Sequence, residues 1–110
     1  MKILNALAAW VKTHAVLGEV HAERVKQDER FGEQNHPLGT GGEWFKAKAT
    51  YARADAEYAE SLGSLTWRHV LREEFYEMLA EADPAKVRAE ALQVAAVAVA
   101  VVECIDRAQA

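Results

Sequence analysis

Five glutamates crowd the stretch LREEFYEMLAEADPAKVRAEALQV, residues 71–94, just ahead of the most apolar part of the chain, VAAVAVAVVECID. Residues three apart on an α-helix point the same way, so Glu74 and Glu77 can close on one divalent cation. Glu90 and Gln93 repeat that spacing where the chain turns apolar on nearly every side. An ionised carboxylate there must be paired, exposed at a helix end or bound to a cation, because desolvating it alone is costly. Four oxygen donors of this kind suit a hard cation, Mg²⁺ or Mn²⁺, which keeps positions free for water and phosphate oxygens. The plainer alternative is a solvated acidic helix face, which is how Glu57 and Glu60, at the same spacing, are read.

Bringing the two pairs together requires two antiparallel helices, and the sequence supplies their boundaries. Thr66 is placed to cap a helix presenting Trp67, Leu71, Phe75, Met78 and Leu79 to the core. Asp83 followed by Pro84 restarts the chain as an N-cap and first helical residue, predicting a last helix from there to near Arg107. With so short a turn between them, these helices must pack antiparallel, setting Glu74 and Glu77 opposite Glu90 and Gln93.

Two more helices precede them. In the first, Leu4, Leu7, Ala8, Val11 and Ala15 form a stripe that Val16, Leu17 and Val20 continue; Gly18 marks either a break or a close helix contact. The segment FGEQNHPLGTGG, with four glycines and Pro37, is a loop long enough to suggest ligand contact by Gln34, Asn35 and His36. A second helix from Glu43 presents Trp44, Ala47, Tyr51, Ala54, Tyr58 and Leu62 on one face, and Gly63 ends it. No stretch alternates as a half-buried strand does, so the expected class is all-α: a small bundle of about four helices in a single domain, residues 1–110.

The totals narrow the function. A 110-residue chain with 51% hydrophobic and 27% charged residues is expected to fold around one core. Its net charge of -4 provides no overall field for a nucleic acid duplex or an anionic membrane. The apolar run Val94–Val102 is far short of the ~20 residues of a membrane span. The opening MKILNALAAWV superficially resembles a secretion signal, but Asn5 interrupts its apolar core and the same residues make a helix stripe. One cysteine, Cys104, in an apolar segment, fits a reducing cytoplasm. The last helix is apolar nearly all round, which predicts that another subunit helps to bury it.

The acids also carry a family resemblance. Glu73-Glu74-Phe75-Tyr76-Glu77, twelve residues, and then Glu90-Ala91-Leu92-Gln93 resembles the EExxE, spacer, ExxD signature of the MazG-like all-α nucleoside triphosphate pyrophosphohydrolases. ERVKQDERFGEQNHP and the segment from Leu65 to Asp106 look like the small phage and actinobacterial members, so the resemblance covers most of the chain from Val16 to Arg107.

The resemblance implies a Mg²⁺-dependent enzyme, a dimer or higher assembly, that cleaves a nucleoside triphosphate to the monophosphate and pyrophosphate. By position, Glu74, Glu77 and Glu90 are its metal ligands, and Gln93 stands where the signature has aspartate. The missing charge weakens metal binding or favours fewer metals, so the alternative is a catalytically degenerate bundle that binds a nucleotide or a protein partner. Glu73 is assigned a water-orienting role in catalysis, against the alternative of a surface ion pair with an arginine or lysine. For substrate, Gln27, Asn35 and His36 are candidates to bond base or sugar, and Lys46, Lys48 or Arg72 to meet phosphate. Trp67 and Trp44 are candidates to stack on a base or, as members of helix stripes, to fill the core.

Overall fold

The computed structural model describes residues 2–110. They form four α-helices: α1 Lys2–Phe31, α2 Glu43–Ser61, α3 Trp67–Ala80 and α4 Pro84–Gln109; there is no strand among the described residues. The chain is all-α, as its periodicity predicts. No helix of the described residues is long and apolar enough to cross a membrane.

The boundaries follow from local chemistry. Thr66, in extended conformation, accepts a hydrogen bond on its side chain from the His69 amide, and the His69 ring accepts one from the Thr66 amide. This is a capping box with histidine in the place usually held by glutamate or glutamine. Leu62 closes α2 and Gly63, at φ +69°, turns the chain away while its amide donates to the Glu60 carbonyl at 3.0 Å. Pro84 opens α4, and the Asp83 carboxylate accepts from the Ala85 amide at 3.4 Å. The helix runs to Gln109, two residues beyond the predicted end.

The described residues divide into two compact units, residues 2–36 with 99–110, and residues 37–98. In the first, α1 lies along the end of α4; Thr13 donates to Glu103 at 3.0 Å, and Val16 and Val99 are buried. Gly18 is neither a break nor a close contact: α1 runs through it and an added Cβ would meet nothing within 4 Å.

In the second unit α2 packs on α3, and Glu90 of α4 comes within reach of Glu74 and Glu77 on α3. Ala52, Ala56, Ala59 and Val87 are its buried side chains. The expected stripe of α2 is therefore corrected. Tyr51 and Tyr58 are each 66% exposed, and Trp44 and Leu62 are exposed as well. Alanines permit closer approach of two helix backbones than aromatic side chains do, and they take the contact. Likewise Trp67, Leu71 and Phe75 of α3 are exposed and α3 has no fully buried residue, contrary to the core role expected for that stripe. At the end of α3 the Gly41 amide donates to the Leu79 carbonyl at 2.8 Å; Gly41 has φ +94°, and a Cβ there would lie 3.0 Å from the Ala82 Cβ.

Candidate functional site

α3 and α4 bring three predicted ligands together. Glu74 and Glu77, one turn apart on α3, and Glu90, in the second turn of α4, each offer a carboxylate oxygen within 4.8 Å of the others. All three are half-buried. The short connection through Asp83 makes this possible, because it returns the chain antiparallel with Glu90 level with the middle of α3.

The electrostatics record the crowding. Burial raises the Glu74 carboxyl above the ordinary carboxylate range, and the charges of Glu77, Glu90 and Glu73 raise it further. Burial is also the largest influence raising Glu73, followed by the Glu77 charge, while Arg53 pulls it back down. Neither Glu74 nor Glu90 forms an ion pair among the described residues.

Glu77 and Glu73 do have a cationic neighbour, one the sequence did not single out. Arg53 of α2 donates from Nη2 to Glu77 Oε1 at 3.0 Å, and its Nε lies 3.8 Å from Glu73 Oε1. This bond and the Glu77 charge raise the Arg53 guanidinium above its ordinary value. Glu73 thus makes the surface ion pair weighed as its alternative role, and does so at the edge of the acidic cluster. Sequence reasoning missed Arg53 because its partners are twenty or more residues away and its bearing depends on which face of α2 packs.

Lys46, Thr50 and Arg53 of α2 line a cleft of about 260 Å³ together with Glu77, Glu81 and Glu90. Of the predicted substrate contacts, Lys46 is the one brought to the acids; it also pairs with Glu43 at 3.4 Å. Trp67 is exposed as the first residue of α3. Gln27, Asn35 and His36 belong to the other unit and make local contacts: Gln27 accepts from Arg24 at 2.8 Å, Asn35 donates to Glu33 at 3.0 Å, and His36 Nε2 lies 3.1 Å from Gln34 Oε1. Gln93 is exposed one turn beyond Glu90.

Two other phosphate candidates are engaged elsewhere. Arg72 donates to Asp55, with its guanidinium 5.7 Å from the Tyr51 ring centre, and Lys48 sits 5.0 Å over the Trp44 ring. His69 Nε2 is 3.7 Å from the same Asp55, so the capping histidine also faces the α2–α3 contact.

As a donor set, three carboxylates without sulfur or imidazole fit a hard divalent cation, and their mutual repulsion is what such a cation relieves. Compared with protein-family models, curated proteins and solved structures, the chain finds no match.

Proposed function

We propose that the protein is a Mg²⁺-dependent, MazG-like nucleoside triphosphate pyrophosphohydrolase that cleaves a ribo- or deoxynucleoside triphosphate, or a related nucleotide, to the monophosphate and pyrophosphate. The observation that carries this reading is the convergence of Glu74, Glu77 and Glu90 within 4.8 Å on two antiparallel helices. Glu74, Glu77 and Glu90 would hold the cation, with Gln93 as the further oxygen donor along α4. Mg²⁺, or Mn²⁺ in its place, would neutralise phosphate oxygens and acidify a water.

The remaining work falls to side chains of this chain. Lys46 and Arg53 line the cleft with positive charge suited to phosphate oxygens. Glu73, raised above the ordinary carboxylate range, is suited to orient a water and accept its proton as phosphorus is attacked. Trp67, in the same unit as the acids, stays as a proposed contact to the nucleoside.

In an assay of pyrophosphate release from a panel of nucleoside triphosphates with Mg²⁺ or Mn²⁺, the wild type turns over at least one substrate, and Glu74→Ala or Glu77→Ala each lowers the rate by about 100-fold or more. Turnover that survives both substitutions contradicts the assignment.

The second reading, a degenerate bundle that binds a nucleotide or protein without hydrolysis, is favoured by Gln93 in place of a fourth acid. It predicts nucleotide binding with no pyrophosphate release. In either case the reading is of a cytoplasmic homo-oligomer, dimer or tetramer, supported by the exposed stripe Trp44, Tyr51, Tyr58 and Leu62.

A further inference from the structure

Arg53 holds the position that a ligand exchange would need. Its guanidinium is bonded to Glu77, one of the three converging acids, and borders Glu73. The Arg53 side chain is 60% exposed, whereas Glu73 and Glu77 are 27% and 22% exposed. The acids are held at the helix contact; the arginine reaches to them from the solvent side of α2. An ion pair with one partner so exposed is readily broken, since water replaces most of what the guanidinium loses.

A divalent cation taking an oxygen of Glu77 would lie a few ångströms from the guanidinium, and like charges at that range repel. Of the two, Arg53 is the group free to move. The cleft it borders is lined on the α2 side by a second cation, Lys46. A planar guanidinium fork released there suits the bidentate geometry of a phosphate oxygen pair, which a compact ammonium does not match.

We infer that Arg53 is a tethered counter-ion of the acidic site: it neutralises Glu77 while no divalent cation is bound, yields Glu77 when one arrives, and then takes oxygens of an anionic polyphosphate. The inference rests on the metal-site reading above and adds a regulation to it. Arg53 opposes binding of the cation alone and favours cation and polyphosphate together. The site is therefore filled when both are present, which couples occupancy to substrate.

Mn²⁺ binding alone, followed by the electron paramagnetic resonance of the free ion, and inorganic tripolyphosphate binding at saturating Mn²⁺, followed by calorimetry against a protein-free blank of the same mixture, test this on the full chain. Arg53→Gln is expected to bind Mn²⁺ alone about three- to tenfold more tightly than wild type, the scale of one screened unit charge nearby. The same variant is expected to bind tripolyphosphate about tenfold more weakly at saturating Mn²⁺. Arg53→Lys keeps the charge and loses the fork, so its Mn²⁺ affinity stays near wild type while its tripolyphosphate affinity falls. If Arg53→Gln binds Mn²⁺ alone no more tightly than wild type, the counter-ion role is overturned; if its tripolyphosphate affinity is unchanged, the hand-over is overturned. Wild-type protein that takes up neither Mn²⁺ alone nor tripolyphosphate with Mn²⁺ overturns the metal-site reading as well, so the two failures are told apart.

Discussion

Glu74 carries the strain of the site. Its carboxyl is raised by burial first and by three neighbouring acids after that, so in the folded chain its neutral form is favoured relative to the unfolded chain. A raised acid stabilises the fold fully below its unfolded pKa, and that contribution is lost as pH rises through the folded one. Without divalent ions, the fold is therefore expected to lose the contributions of Glu73 and Glu74 as pH climbs from the ordinary glutamate range through their raised values. Glu74→Gln removes part of that loss. In urea titrations with chelator present, the variant should exceed wild type by about 0.5 kcal/mol at neutral pH, the scale of one like-charge pair a helical turn apart. The gap should shrink as pH falls into the carboxylate range. Added Mg²⁺ should reverse the order, since the variant loses a ligand that the wild type keeps.

The acids themselves are legible in the sequence, and the reason is local. Glu74 and Glu77 need one helical turn to point together, and Asp83-Pro84 fixes the return of the chain within a few residues. Arg53 was not legible for the opposite reason. Its bearing toward Glu77 is set by α2 packing through Ala52, Ala56 and Ala59, a contact between elements rather than within one.

Among the elements, helix boundaries followed capping chemistry and were readable at Gly63, Thr66 and Pro84; packing faces were not. Sorting α2 by hydrophobicity selects its largest residues, Trp44, Tyr51 and Tyr58, whereas close helix contact selects its smallest. Two glycines test how the elements are built. Gly18 lies inside α1 with open space where a Cβ would go, so Gly18→Ala should stabilise the chain by about 0.5–1 kcal/mol in thermal or urea denaturation. Gly41 has positive φ and approaches Ala82 at the end of α3, so Gly41→Ala should destabilise by about 1–3 kcal/mol. Because Gly41 bonds the Leu79 carbonyl, loss of that turn should also loosen the end of α3, seen as faster amide exchange around Leu79 to Glu81.

For the molecule as a whole, the balance of buried and exposed side chains points outward. No large side chain is fully buried among the described residues, while Trp10, Trp44, Tyr51, Tyr58 and Leu62 are exposed. Apolar surface of that extent is ordinarily covered by other chains. Light scattering after size exclusion should give a multiple of 12.2 kDa, and Tyr51→Glu with Tyr58→Glu should shift the protein toward the monomer mass. A wild-type species at 12.2 kDa alone contradicts the assembly.

The proposed function requires Glu74, Glu77 and Glu90, whose carboxylate oxygens lie within 4.8 Å of one another, to hold a divalent cation. Calorimetric titration with Mg²⁺, alone and with a nucleoside triphosphate, tests it most directly on wild-type protein and on the triple Glu74→Gln, Glu77→Gln, Glu90→Gln variant. Saturable uptake by the wild type that the folded triple variant lacks is the predicted result; no uptake by the wild type, or equal uptake by both, contradicts it.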